Sequence, residues 1–134
     1  MQSKTLNNVS MLAGRTMLAA VFMLAGFGKL GAGYAGTQAY MESVGLPGAL
    51  LPAVIAFEIL GGLAILIGFQ TRFVALLLAA FTVIAAVIFH SDFSQQMQMI
   101  LFMKNIGLTG GFLMLLAHGP GEWAFNPRLK MQEA

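Results

Sequence analysis

The sequence predicts an all-α integral membrane protein, a four-helix bundle that forms a single four-span domain over residues 1–134. Hydrophobic residues make up 58% of the chain and charged residues only 9%, whereas a soluble domain carries about 25% charged residues. Four apolar stretches also have the length of about 20 residues that crosses a hydrocarbon core of about 30 Å. In lipid the backbone polar groups of such a segment must pair within the segment, so each stretch is expected to be an α-helix.

The expected spans cover residues 9–30, 49–69, 73–89 and 97–117. The joint between the second and third spans is only segment 68–72, which predicts a tight antiparallel hairpin. The joint over residues 31–48 is longer and rich in glycine. Its middle, residues 37–44, is expected to form a short interfacial helix with Thr37 as its N-cap and Gly45 as its C-cap.

Basic residues in short loops predict the orientation of the bundle, because cytoplasmic loops of membrane proteins carry an excess of Lys and Arg. One side of the four-span arrangement carries the basic residues Lys4, Arg72, Arg128 and Lys130. The other side carries Lys29 at a helix end, together with the acidic residues Glu42 and Asp92. We therefore expect a multi-pass protein of the inner (plasma) membrane with both termini in the cytoplasm.

The composition argues against several classes of partner and cofactor. A net charge of +2 is too small for a nucleic-acid-binding surface, so the lipid bilayer is the expected partner. The chain has no cysteine, which excludes iron–sulfur clusters, thiol relays and Cys-ligated zinc within it. His90 and His118 are expected at opposite membrane faces, so they cannot share a haem or a metal ion. No haem, iron–sulfur cluster or structural metal is expected.

Three ionisable residues, Arg15, Glu58 and Lys104, lie several residues inside the expected spans. Each costs about 2.5–3.5 kcal/mol on insertion scales, so each should face the interior of the bundle and have a partner there. Glu58 lies near mid-membrane and is the only anion available to the two intramembrane cations. Lys29 shares a helix face with Arg15. The two residues are 14 positions apart, and at about 100° of rotation per residue the two side chains point to within about 40° of the same direction.

These charges predict an intramembrane polar seam with a surplus of positive charge around one carboxylate. Its candidate ligand-binding residues are Arg15, Lys29, Glu58, His90, Lys104 and Asn105. The surplus would suit an anionic or carbonyl-bearing ligand, and ionisable residues inside a membrane generally mark functional sites. The alternative is a structural ion network that specifies how the helices pack and binds nothing. For His90, at the mouth of the seam near Asp92, proton gating, ligand binding and simple interface capping all stay open.

Several motifs, taken together, resemble the DoxX family over residues 9–120. They are Arg15 followed by Phe22, Gly26 and Gly28-Lys29-Leu30; Glu58 with Gly61-Gly62 and Gly68; and Lys104-Asn105 with Gly110-Gly111. Segments 34–42 and 102–105 look most similar to the bacterial inner membrane YqjF-like branch of this family. The polar residues shared in the family correspond here to Arg15, Lys29, Glu58 and Lys104.

The resemblance implies a four-helix inner membrane protein associated with oxidoreductases, and some relatives in the family are linked to quinones. We therefore expect a component of a membrane oxidoreductase that binds a quinone, or a similar small aromatic molecule, within the bundle. Because the chain lacks cysteine and a suitable pair of histidines, a redox role would use the bound quinone or the cofactor of a soluble oxidoreductase partner. Whether the chain is itself an enzyme stays open.

Two other functions fit the same residues. A carrier for a small aromatic or anionic compound would use the seam as a pathway, and with only four helices it would need to form a homodimer. A structural anchor subunit would bind no ligand and would hold a partner enzyme at the membrane. The polar seam alone does not decide between these functions.

Overall fold

The structure of the protein is a computed structural model that describes residues 3–125. Its helices are α1 (Lys4–Gly28), α2 (Ala32–Ser43), α3 (Leu51–Ile67), α4 (Thr71–Phe89) and α5 (Gln96–His118), and a 3₁₀ turn, Gly48–Leu50, leads into α3. Within this part of the chain, α1, α3 with its preceding turn, α4 and α5 are long and apolar enough to cross a membrane. The predicted all-α fold class with four membrane-spanning helices is thus confirmed. Arg128 and Lys130, which entered the prediction of orientation, lie outside the described residues.

Helix α1 begins at Lys4, ahead of the expected span boundary at residue 9. The Ser3 hydroxyl accepts a hydrogen bond from the Leu6 N–H (3.0 Å) and caps the helix. Such a cap supplies a partner for one of the free N–H groups of the first turn. Hydropathy alone places the boundary where the apolar residues begin, and it misses this polar turn.

Helix α2 is longer than the predicted interfacial helix, and Thr37 is not its N-cap. The Thr37 hydroxyl lies inside the helix and donates to the Gly33 carbonyl oxygen (2.8 Å). Gly45 has a φ of +88° and directly follows the C-cap, Val44. It therefore ends the helix in the left-handed conformation that glycine favours, one position beyond the observed cap, so the predicted C-cap was placed one residue too late.

The bundle consists of two antiparallel helix pairs, α1 with α3 and α4 with α5. We call the end that holds Lys4 and Phe125 the terminal end, and the opposite end, with α2, the loop end. The two pairs meet around buried aromatic side chains, where Phe22 and Phe112 pack edge to face with ring centroids 5.4 Å apart. Of the two rings, Phe22 also forms part of the cavity wall described below.

Helices α1 and α3 approach closely because glycines replace side chains at their contact points. A Cβ atom on Gly62 would lie 3.1 Å from the Ala19 carbonyl oxygen, and one on Gly26 would lie 3.3 Å from the Ile55 carbonyl oxygen. Close backbone approach of this kind maximises van der Waals contact, which drives helix association in lipid. At Gly107 of α5, by contrast, a Cβ atom would meet no described atom within 4 Å.

Arg15 holds the terminal end together, and it is only 2% exposed. Its Nε donates to the Ile65 carbonyl (3.2 Å) and its Nη2 to the Leu66 carbonyl (2.9 Å), both in the last turn of α3. Its Nη1 donates to the carbonyls of Pro120 (2.7 Å) and Trp123 (2.9 Å), in the segment after α5. We call these bonds the arginine clasp. The clasp supplies donors to carbonyls that have no intrahelical partner and that lipid cannot satisfy.

The segment after α5 is also tied to α1 by a part-buried hydrogen bond and an exposed ion pair. Asn8 Nδ2 donates to Glu122 Oε2 (3.2 Å), and Lys4 Nζ lies 3.2 Å from Glu122 Oε1. The hydrogen bond from Asn8 and the contact with Lys4 hold the pKa of the Glu122 carboxyl below its ordinary value. Exposed ion pairs contribute little to stability, so the arginine clasp is the stronger tie at this end.

We predict that Gly62→Ile separates α1 from α3 and lowers the free energy of unfolding by about 1–3 kcal/mol, the usual cost of overpacking. The measurement is the unfolding midpoint of the purified protein in mixed micelles. The matched control is Gly107→Ile, which places the same side chain in open space on α5. Equal effects of the two substitutions would show that close approach of α1 and α3 is not required.

We predict that Arg15→Met lowers the free energy of unfolding by about 3 kcal/mol or more, because it leaves several buried carbonyls without a donor. Lys4→Met removes an exposed cation from the same end and should cost no more than about 1 kcal/mol. Unfolding midpoints of both variants test this. An Arg15→Met protein as stable as the wild type would contradict the structural role of the clasp.

Candidate functional site: a polar cavity at the loop end

The loop end contains a cavity of about 480 Å³, a volume typical of small-molecule sites, which span about 300–1,000 Å³. It lies between α1, α3, α4 and α5, and residues of α2 line it from the loop side. We call it the loop-end cavity. Its aromatic lining residues are Phe22, Tyr40, Phe81 and Phe89. Its other polar or ionisable lining residues are Lys29, Thr37, Glu58, Thr82, His90, Lys104 and Asn105.

Lys29 and Glu58 form an ion pair at the wall of this cavity. Lys29, the C-cap of α1, folds back so that its Nζ donates to the Ala25 carbonyl (3.1 Å). The same Nζ lies 2.8 Å from Glu58 Oε1 and 3.1 Å from Oε2, and the Glu58 side chain is only 4% exposed. Hydrogen-bond geometry holds toward Oε2 alone, so Oε1 is paired by charge but has no hydrogen-bond donor within residues 3–125. A buried acceptor atom is therefore open to a donor from a ligand.

Lys104 and Asn105 reach the same cavity from α5. The Asn105 amide donates to the Thr82 carbonyl of α4 (3.3 Å), which orients it toward the neighbouring helix. Lys104 was expected to have a partner inside the bundle. It lines the cavity but makes no hydrogen bond or ion pair with any residue between 3 and 125. Its long side chain leaves an ammonium group that can meet a ligand or extend toward the membrane surface.

His90 lies at the mouth of the cavity, where α4 ends. Its Nδ1 is 2.9 Å from Gln98 Oε1, and because an amide oxygen only accepts, the imidazole is the donor. Asp92, expected beside it, instead accepts from the Ser94 hydroxyl (2.5 Å). Gln98 is a polar group that sequence reasoning missed, since a neutral residue at a helix start gives no distinctive signal.

A second missed residue, Tyr40, connects α2 to the mouth of the cavity. Its hydroxyl donates to the Phe89 carbonyl (3.0 Å), and the rings of Tyr40 and Phe89 have centroids 5.2 Å apart. The sequence placed this tyrosine only within the expected interfacial helix, residues 37–44. In the structure it also holds α2 against α4, so α2 forms part of the cavity wall.

The structure brings together five of the six residues predicted for the polar seam, since Lys29, Glu58, His90, Lys104 and Asn105 all line the loop-end cavity. Arg15 lies at the terminal end, and the expectation that it would be a partner of Glu58 is wrong. The separation follows from helix geometry, because the 14 residues between Arg15 and Lys29 rise by about 21 Å. Backbone carbonyls, which carry no sequence signature, take the place of the expected carboxylate.

His90 and His118 lie at opposite ends of the bundle, as predicted, because each ends one of two antiparallel helices. Within residues 3–125 no three His, Asp or Glu side chains cluster in a way that could hold a metal ion. The ionisable groups of the loop-end cavity are instead two amines, a carboxylate and an imidazole. They can donate hydrogen bonds to a carbonyl and accept one from a hydroxyl, beside aromatic walls that suit a planar molecule.

Comparisons with known proteins agree with this architecture. The DoxX family model matches residues 10–91, which include most of α1 and all of α2, α3 and α4. The chain is 48% identical to "Inner membrane protein YqjF" of Escherichia coli (strain K12), over 92% of this chain and 94% of that protein. It is 35% identical to "Inner membrane protein YphA" of the same organism, over 90% of each chain. No solved structure gave a match. On the family model and on these two relatives, the chain belongs to the DoxX family.

Proposed function

We propose that the protein binds a quinone, or a similar small aromatic molecule, in the loop-end cavity and acts as a component of a membrane oxidoreductase. The observation that carries the proposal is the buried Glu58 carboxylate, whose Oε1 has no hydrogen-bond donor among the described residues although it borders a cavity. The Lys29 ammonium lies 2.8 Å from this oxygen, but a carboxylate oxygen has two lone pairs, so Oε1 can also accept a hydrogen bond from a ligand in the cavity.

The chemistry of the lining supports an aromatic ligand with oxygen substituents. Phe22 and Phe81 supply aromatic edges and faces on which a ring can pack. The ammonium of Lys104 can donate to a quinone carbonyl, while Glu58 can accept from the hydroxyl of a reduced quinol. One wall thus suits the oxidised form of such a ligand and another suits the reduced form.

The redox balance of this proposal requires a partner. Reduction of a quinone to a quinol takes up equal numbers of electrons and protons. Lys29 and Glu58, as a hydrogen-bonded pair at the cavity, are placed to pass the protons. The chain has no cysteine, so the electrons would come from the cofactor of a soluble oxidoreductase that docks on the membrane protein.

We predict that gently purified protein contains about one quinone, or another small aromatic molecule, per chain. The Glu58→Gln variant should contain at most about one tenth of that amount. Mass spectrometry and absorbance of organic extracts measure the content. The matched control is Glu42→Gln, the same change at an exposed residue outside the cavity lining. Absence of a bound molecule in the wild type would contradict the proposal.

A second variant separates ligand binding from folding. Lys104→Met removes an ammonium that has no partner among the described residues, so the unfolding midpoint should stay unchanged. Ligand content should nevertheless fall by about tenfold if the ammonium donates to the ligand. Wild-type ligand content in folded Lys104→Met and Glu58→Gln proteins would show that these side chains do not bind it.

We also propose that the terminal end faces the cytoplasm, because it carries the exposed basic residues Lys4 and Arg72. The natural absence of cysteine allows a direct test with single introduced thiols. In intact cells a membrane-impermeant maleimide should label Gln95→Cys, at the loop end, whereas Thr5→Cys should react only after lysis. The reverse pattern would contradict this orientation.

A further inference from the structure

A second cavity, of about 390 Å³, lies at the terminal end between the start of α4 and the segment that follows α5. We call it the terminal-end cavity. Residues 70–73 form one side of it and residues 118–121 the other. None of these residues borders the loop-end cavity, so this space takes no part in the function proposed above.

The α4 side of the terminal-end cavity presents hydrogen-bond donors that have no acceptor. Thr71 is 2% exposed, and its Oγ1 is buried without a hydrogen-bond partner in the described chain. The backbone N–H groups of Thr71, Arg72 and Phe73 also lack partners within residues 3–125, and the Gln70 side chain does not cap the helix. A buried hydroxyl and three N–H groups, all from residues that line this cavity, are thus available to an acceptor from outside the chain.

The charge of the terminal-end cavity favours an anion as that acceptor. Arg72 makes no hydrogen bond or ion pair with residues 3–125. It lies against Gly119, where a Cβ atom would come within 3.2 Å of the Arg72 Nε, so the absence of a side chain makes room for the guanidinium. There the guanidinium also offsets the negative end of α5. The described lining contains no carboxylate, and the nearby Glu122 is already engaged by Lys4 and Asn8.

We propose that the terminal-end cavity binds a phosphate-type anion, either the phosphate of a membrane lipid or a soluble phosphate. Phosphate offers several acceptor oxygens, and free N–H groups at a helix N-terminus together with an arginine are a strong set of donors for it. The exposed aromatic residues Trp123 (47%) and Phe125 (52%) mark this end as a headgroup-level region. A lipid phosphate and a soluble phosphate would therefore both have access to the same donors.

The test uses the full-length protein, delipidated in detergent, and two probes: dioleoyl phosphatidylglycerol followed by native mass spectrometry, and inorganic phosphate followed by calorimetry. For whichever probe the wild type binds, Arg72→Gln should weaken the affinity by about tenfold or more, and Thr71→Val should weaken it by about threefold. The control is Lys4→Gln, which removes a cation from the same end outside the cavity, and it should change affinity by less than about threefold.

The outcomes separate the sources of the anion and can overturn the proposal. Binding of the lipid that inorganic phosphate does not displace identifies a lipid headgroup site, and displacement identifies a soluble phosphate site. The proposal is wrong if the wild type binds neither probe, or if Lys4→Gln weakens binding as much as Arg72→Gln. If Arg72→Gln does not fold, the affinity of Thr71→Val for the probe tests the proposal instead. This variant should be as stable as the wild type without ligand, because a methyl group replaces a hydroxyl that has no partner in the described chain. Glu58→Gln should bind the probe like the wild type, so this result is independent of the loop-end cavity.

Discussion

The structure depends on how a buried cation on α1, that of Arg15, meets the end of α3. The last carbonyls of α3 would be unpaired there, yet each finds a donor: Ala64 accepts from the Gly68 N–H and Ile67 from the Phe125 N–H, while Arg15 serves the two between them. By binding the last turn of α3, the guanidinium fixes the offset of α1 against α3, and its other bonds attach the segment after α5 to both helices. That offset places Lys29 within reach of Glu58 and so determines the polar wall of the loop-end cavity.

The two buried charges described above, those of Arg15 and Glu58, thus have different hydrogen-bond environments. The guanidinium of Arg15 is surrounded by backbone oxygens that any sequence could supply, and it makes four hydrogen bonds with its five N–H groups. Glu58 is held by a single lysine and keeps an oxygen without a donor. A guanidinium whose donors are nearly all paired stabilises the bundle, whereas a buried carboxylate beside a cavity can still accept a further hydrogen bond. The contrast supports the proposal that the loop end binds a ligand.

The sequence predicted the four membrane-spanning helices because hydropathy and backbone pairing in lipid leave little choice. It also predicted five of the residues that line the loop-end cavity, since an ionisable side chain in a span must find a polar environment. The partner of Arg15 could not be predicted, because carbonyls left free at a helix end carry no side-chain signature. Tyr40, which lines the cavity, and Gln98, which binds His90, were missed for a similar reason. Neutral polar residues near helix ends are common, and only the tertiary structure shows what they face.

One feature of the loop-end cavity bears on how a ligand would arrive. Val21 of α1 and Ile84 of α4 line it and are 39% and 57% exposed, and both lie in the middle of helices that cross the membrane. These two side chains therefore face the acyl chains as well as the cavity, which makes the gap beside them a lateral route for a ligand to enter. A lipophilic molecule that enters by this route dissolves in the bilayer first, and its effective concentration is its mole fraction among the lipids. Occupancy would then follow the partition coefficient of the compound, so that a long isoprenoid tail raises occupancy without touching the protein.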